Sequence, residues 1–285
     1  MVEDGLPPLR DIIARYDLAA KKSLGQNFLF DLNLTRRIAR SAEPLNGFTI
    51  IEIGPGPGGL TRALLMEGAS RVIAVERDER TLPALAEISA AYPDKLLVIS
   101  EDALMVDWAK IVAGPAKIVA NLPYNVATVL LTGWLTQGAW PPWFSSLTLM
   151  FQKEVAERIV AKPGTKDYGR LSILCQYRCD AKKLFDVNRS AFTPAPKVTS
   201  SIVQLVPKPA GDCEIKDLEK ITASAFGQRR KMLRSSLKGA FEMPETVLGE
   251  LGINPELRAE QLAVADFVRL AKVLQTLRQR ADEIG

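Results

Sequence analysis

Between Gly47 and Phe151 the chain alternates short β-branched, apolar runs with longer segments whose apolar positions recur at helical spacing. This alternation predicts βαβ units and a parallel sheet. Strands are expected at Phe48–Ile53, Arg71–Glu76, Leu96–Ser100, Lys117–Ala120 and Leu147–Phe151. Leu60–Glu67 and Leu82–Ala91 fit crossover helices, and Phe151, Val155 and Ile159 recur at i, i+4 and i+8 on another. Further on, Leu171–Tyr177 fits a helix, while Ala181–Val187 and Ser200–Val206 read as strands on either side of AFTPAPKV. An antiparallel pair at the sheet edge suits them. The stretch VPKPAGDCE then combines prolines with a glycine before helical periodicity resumes from Ile215 to Arg280. A boundary is expected there, giving an α/β Rossmann-like domain over 1–207 and a small all-helical C-terminal domain over 208–285.

Composition narrows the function without naming it. With 47% apolar and 25% charged residues the chain is ordinary for a globular protein. No apolar run approaches the roughly 20 residues of a membrane-spanning helix, and Met1 to Arg10 lacks a basic start followed by an apolar stretch. A cytoplasmic protein is expected, with no membrane partner. The three cysteines, Cys175, Cys179 and Cys213, form no paired framework, and Cys175 and Cys179 at i, i+4 suit a helix core. The chain contains no histidine. Zinc-type ligand sets, Ser-His and Cys-His pairs and the usual physiological base are therefore missing, so no metal is expected and the chemistry must proceed without strong proton abstraction.

Candidate chemistry begins with IIEIGPGPGGLTRALL, which sets Gly54, Gly56 and Gly58 between a strand and a helix so that backbone can approach a ligand closely. A tight turn needs glycine for steric reasons alone, so the spacing is weak by itself. Glu76, at the end of the next strand, strengthens it, because a carboxylate there can accept both hydroxyls of a ribose. Dinucleotides and S-adenosylmethionine both use this geometry. The E-x-G-x-G-x-G spacing from Glu52 favours the second modestly, and Asp102 after the third strand could accept an adenine amino group. The plainer reading of Asp102 is a helix N-cap.

The fourth strand ends on ANLPYN. Pro123 cannot continue a ladder and holds Leu122 extended, so the strand stops with the Leu122 carbonyl unpaired at the sheet's carboxyl edge. Asn121 adds a side-chain acceptor, and Tyr124 an aromatic face in the following turn. Two acceptors and a ring suit an aromatic amine, in the crevice shared with the Gly54 loop, Glu76 and Asp102. Phe192 reads as a core residue on an edge strand, although Pro194 and Pro196 stiffen the backbone just beyond it, which would suit a ring held at a site.

These motifs, with KSLGQNFL at Lys22–Leu29, EDAL at Glu101–Leu104, FQKEVAERI at Phe151–Ile159 and FTPAPKVTSSIV at Phe192–Val203, span nearly the whole chain. Together they resemble the ribosomal RNA adenine N6,N6-dimethyltransferases, of the bacterial small-subunit 16S type. The resemblance implies a class I methyltransferase sheet, with S-adenosyl-L-methionine contacted by Asn27, Leu29, Gly54, Glu76, Asp102 and Asn121. It further implies that Asn121, Leu122, Tyr124 and Phe192 hold the target adenine. The partner would be 16S rRNA in the small (30S) ribosomal subunit or its precursor, and the enzyme a monomer.

The net charge of +4 is too small to argue RNA binding, but the excess is regional: Lys153–Lys197 holds ten Lys/Arg against five Asp/Glu. Arg230, Arg234 and Lys238 recur every four residues and are expected to share a helix face beside Leu233 and Leu237, with the Lys21–Lys22 pair near the cofactor mouth. Three other readings stay open: a large-subunit rRNA methyltransferase of the macrolide-resistance type, a ribosome-assembly factor with methylation secondary, and a dinucleotide oxidoreductase.

Overall fold

The computed structural model describes residues 4–20 and 25–284. In chain order the elements are α1 (Leu9–Arg15), β1 (Phe28–Leu29), α2 (Leu32–Arg40), β2 (Thr49–Ile53), α3 (Gly59–Met66), β3 (Arg71–Glu76), α4 (Leu82–Ala91), β4 (Leu96–Ser100), α5 (Trp108–Ile111) and β5 (Ala116–Ala120). There follow α6 (Tyr124–Thr136), β6 (Phe144–Gln152), α7 (Lys153–Val160), α8 (Arg170–Arg178), β7 (Cys179–Val187), β8 (Phe192–Thr193) and β9 (Ser200–Pro207). The chain closes with α9 (Ile215–Gly227), α10 (Leu233–Ser236), α11 (Pro244–Glu250) and α12 (Val264–Ile284). Among the described residues no helix is long and apolar enough to cross a membrane.

The main sheet has seven strands in the order β4-β3-β2-β5-β6-β9-β7. From β4 to β6 the pairs are parallel, and β9 runs antiparallel to β6. β2 and β5 are buried at every position, as expected of parallel strands covered on both faces. The chain winds outward from β2 to β4, then returns to the other side of β2 as β5, so the order reverses between the two central strands. In an open α/β sheet, a crevice forms beyond the carboxyl ends of the strands at such a reversal.

Phe151 belongs to β6, as the expected strand had it, where it pairs with Ser201, so the helix expected to carry it with Val155 and Ile159 starts only at Lys153. The sequence pattern gives no sign of a two-stranded sheet of β1 against β8, with Phe28 opposite Thr193 and Leu29 opposite Phe192. This sheet joins the Gly25–Leu29 end of one motif to the start of FTPAPKV.

Gly58 caps α3 at φ +87°, and a Cβ there would lie 2.3 Å from Ile88 Cδ1 and 3.1 Å from Leu85 Cδ2. The backbone conformation demands glycine, and the ends of the Ile88 and Leu85 side chains would have to shift for any Cβ there. Gly58→Ala is expected to cost about 1–3 kcal/mol of stability, read as a lower denaturant midpoint with an unchanged slope.

Contacts divide the chain into one unit of residues 1–131, 142–156 and 182–207 and another of 132–141, 157–181 and 208–285. The second unit buries Tyr168, Ile173, Leu218, Ile221, Leu237 and Phe267 in one cluster, with the Phe226 ring 6.3 Å from Tyr168 and 5.7 Å from Phe267. It takes in α8, well upstream of residue 208, because Tyr168 and Ile173 bury themselves there; no shift in composition marks this. The expected helix carrying Arg230, Arg234 and Lys238 on one face does not form. α9 ends at Gly227, Arg230 lies in the turn that follows, and α10 spans only Leu233–Ser236 before a 3-10 turn at Leu237–Gly239. The Leu233 and Arg234 amides donate instead to the Leu257 and Pro255 carbonyls. Leu233 and Leu237 are both buried, as their spacing predicts.

Candidate active site

At the carboxyl ends of β2 to β5 lies a cavity of about 260 Å³. Its wall brings together Asn27, Leu29, Gly54, Glu76, Asp102, Asn121, Leu122, Tyr124 and Phe192, the residues expected to hold a methyl donor and an adenine. Lys21 and Lys22 lie outside the described residues.

The floor is the glycine loop. Gly54, Gly56 and Gly58 all have positive φ, and a Cβ on Gly54 would meet only Pro123 Cδ, at 3.8 Å. The loop after β2 and the corner after β5 are thus close enough for one small ligand to touch both. Gly25 reaches the same corner, since a Cβ on it would stand 3.0 Å from Asn125 Oδ1. Asn27 Nδ2 donates to the Gly25 carbonyl at 3.3 Å, which holds this segment in a turn.

Glu76 is buried, and each carboxylate oxygen takes one backbone amide: Gly56 N–H at 2.9 Å and Asp78 N–H at 2.7 Å. A carboxylate offers about four acceptor positions, so room remains for a ligand hydroxyl. Burial, opposed by these backbone hydrogen bonds, raises its pKa. Asp78 accepts Gln26 Nε2 at 2.8 Å and is paired with Arg80, which ties the N-terminal segment to the acidic end of β3. Asp102 does not cap a helix, because a turn follows it and α5 starts only at Trp108. Its Oδ1 accepts the Leu104 amide at 3.0 Å and its Oδ2 takes Arg77 Nη1 at 3.2 Å, while the residue lines the cavity.

At the corner, Pro123 cannot donate to the sheet, and its carbonyl accepts from Val126 and Ala127 as α6 begins. Tyr124 therefore emerges from the first turn of a helix rather than from a loop. Among the described residues no hydrogen bond reaches the Asn121 side chain or the Leu122 carbonyl. Tyr124 is half-buried, its hydroxyl lies 2.5 Å from Ser200 Oγ, and burial raises its pKa. Phe192 is 4% exposed, packed with Leu29, Val187 and Ile202, so it is a core residue that also lines the cavity.

Sequence reasoning missed the β1–β8 pairing, the Gln26–Asp78 tie and the Ser200 hydroxyl, none of which leaves a periodic signal. It noticed Glu52 in the glycine motif but gave it no task. Glu52 is fully buried, accepts Thr61 Oγ1 at 2.6 Å, and is pushed up to about 8 chiefly by desolvation. Between the ordinary carboxyl range and pH 8 the folded state therefore holds a proton that the unfolded chain releases. Stability contributed by this group should fall as pH rises through that window. In Glu52→Gln the melting temperature should lose that part of its pH slope, as thermal scans from pH 5 to pH 9 would detect.

The wall chemistry also separates the ligand classes. Among the described residues, Glu76, Asp78, Glu101 and Asp102 line the cavity beside Glu52, which holds its proton up to about pH 8, against Arg77 alone among cationic side chains. Such a lining repels a pyrophosphate and suits a ligand with cationic groups and a ribose. The residues of the wall fit S-adenosylmethionine.

Comparison with known proteins agrees. The model of the family described as ribosomal RNA adenine dimethylase matches residues 18–276. The chain is 60% identical over 280 residues to the ribosomal RNA small subunit methyltransferase A of Xanthobacter autotrophicus, covering 98% of this chain and 97% of the relative. It is 58% identical over 285 residues to the protein of the same name from Methylobacterium radiotolerans, covering 99% and 98%. Among solved structures, a dimethyladenosine transferase from Plasmodium falciparum matches 87% of this chain and 98% of its own, at 26% identity and a TM-score of 0.73. The 23S rRNA methyltransferase ErmE matches 87% of this chain and 100% of its own, at 26% identity and 0.67. With its sheet order, its cavity and its sequence all in agreement, the chain belongs to the ribosomal RNA adenine dimethylase family.

Proposed function

We propose that this enzyme transfers methyl groups from S-adenosyl-L-methionine to the exocyclic N6 of two adjacent adenosines, in a loop near the 3′ end of 16S rRNA, giving N6,N6-dimethyladenosine. The observation that carries the reading is the corner after β5. Two uncommitted acceptors, Asn121 Oδ1 and the Leu122 carbonyl, and one ring, Tyr124, share a cavity with Glu76 and the glycine loop.

When bound, S-adenosylmethionine supplies a methyl already activated by its sulfonium for in-line displacement. Adenine's amine is a poor nucleophile because its lone pair is delocalised into the ring. Asn121 Oδ1 and the Leu122 carbonyl accept its two N–H bonds and draw the nitrogen toward tetrahedral geometry, so that the lone pair is available along one direction. No proton has to leave first: the donor's S–C bond would break to a neutral thioether as the N–C bond forms, and the cationic, strongly acidic nitrogen would then lose its proton to water, which is why a chain without histidine suffices. Tyr124 and Phe192 hold the extruded base by its faces, each stack contributing roughly 1–3 kcal/mol. Asn27, Leu29, Gly54, Glu76, Asp102 and Asn121 hold the methyl donor. Positioning of this kind can supply about 7 kcal/mol or more of a barrier.

In this reading residues 1–207 form the catalytic domain and 208–285 a helical RNA-binding domain, in a cytoplasmic monomer that acts on the small subunit or its precursor and serves its biogenesis. The basic excess over Lys153–Lys197 supports RNA contact, although Lys153 and Lys183 both pair with Asp186. Identity near 60% to small-subunit enzymes, against 26% to ErmE, favours that substrate over the large subunit. The test is transfer from labelled S-adenosylmethionine to unmodified small subunits, with the modified nucleotides mapped. Label on adjacent 16S adenosines is expected; label only on large-subunit RNA, or none, would overturn the assignment.

A further inference from the structure

We propose that Ser200 is a positioning residue for adenine methylation, acting through Tyr124 and bearing most heavily on the second methyl transfer. The proposal rests on the reading that Tyr124 stacks on the target base. Ser200 opens β9 and is wholly buried; Tyr124 opens α6, and the two hydroxyls lie 2.5 Å apart. A tyrosine ring turns about two side-chain bonds, so a partner fixed at its far end sets the plane of the ring as well as its place. The anchor is firm, because Ser200 is held opposite Gln152 in the β6–β9 ladder rather than on a loop. Strand alternation turns Ser201 to the other face, where its Oγ donates to Asp186 Oδ1 at 2.7 Å.

The two transfers place unequal demands on the ring. Unmethylated adenine offers two N–H bonds to Asn121 and Leu122, whereas the monomethylated base offers one. With half of the polar grip gone, the orientation of the base depends more on the plane it stacks against. A Tyr124 ring free to swing should therefore penalise the second transfer more than the first.

The experiment uses the full chain with unmodified small subunits, and reads mono- and dimethyladenosine by mass spectrometry at matched total methyl incorporation. Ser200→Ala and Tyr124→Phe remove the same hydrogen bond from opposite ends. Each is expected to lower kcat roughly tenfold, the scale of one lost buried hydrogen bond, with the donor KM unchanged and the monomethyl fraction raised. The double variant should be no worse than either single one, because both changes break one contact. Ser201→Ala should keep the parental product ratio, which separates ring positioning from general loosening of β9. If Ser200→Ala does not fold, Tyr124→Phe carries the test alone. A parental ratio in Tyr124→Phe, additive losses in the double variant, or an equal shift in Ser201→Ala would overturn the proposal. A parental enzyme that leaves adenine unmethylated would sink the underlying reading, a result distinct from active enzyme with an unmoved ratio.

Discussion

Asn121→Ala should slow both methyl transfers by about 10²–10³-fold, the loss seen when one preorganised hydrogen-bonding group is removed from a reacting centre. The site has little with which to compensate. No histidine is available to take a proton, and with Asn121 shortened only the Leu122 carbonyl is left of the proposed pair of acceptors. The amine can then rotate about its bond to the ring and recover its conjugation. The ratio of mono- to dimethyl product should also change, since the two acceptors no longer share the work as the nitrogen loses its hydrogens. Single-turnover kinetics would isolate this step from RNA binding. Mass spectrometry showing dimethylation at the parental rate would remove Asn121 from the mechanism.

Glu76→Ala should act on the donor instead. Hydrogen bonds to a charged carboxylate contribute about 1.5–3 kcal/mol, so affinity for S-adenosylmethionine is expected to fall by roughly 10- to 150-fold. The loss has a second origin in the empty protein: Gly56 and Asp78 each give an amide hydrogen to Glu76, and both become unpaired in the variant. The glycine loop then loses the contact that holds its middle. Calorimetry with S-adenosylmethionine, with NAD as a control, would measure the change. An unaltered dissociation constant, or tight binding of NAD by the parental protein, would show that this carboxylate does not grip the ribose.

How much of this was legible in the sequence depended on the range of the interactions. β3, β4 and α4 fall where local pattern puts them, because a short β-branched apolar run and a segment of helical spacing each carry a local signal, even for β4 at the sheet edge, where only Leu96 is buried. The residues of the cavity wall could be listed from motifs, since glycine, proline and a lone carboxylate mark the ends of strands. What could not be read were pairings between distant segments: Leu29 with Phe192, Gln26 with Asp78, and Tyr124 with Ser200. Nothing in one segment encodes the address of the other. The expected basic helix failed for a related reason, as the Leu233 and Arg234 amides find carbonyls in the 255–257 loop that a local pattern cannot see.

The small sheet of β1 with β8 has a consequence for how the protein is made. Its two strands stand more than half the chain apart, so a ribosome delivers Phe28–Leu29 early and the matching Phe192–Thr193 late. The parallel core from β2 to β6 can assemble in the interval, but this side of the cavity stays unfinished until the second strand emerges. A nascent or prematurely ended polypeptide would thus carry the glycine loop and the Asn121 corner without the wall that faces them. Closure of the pocket must wait until about two-thirds of the chain has been made.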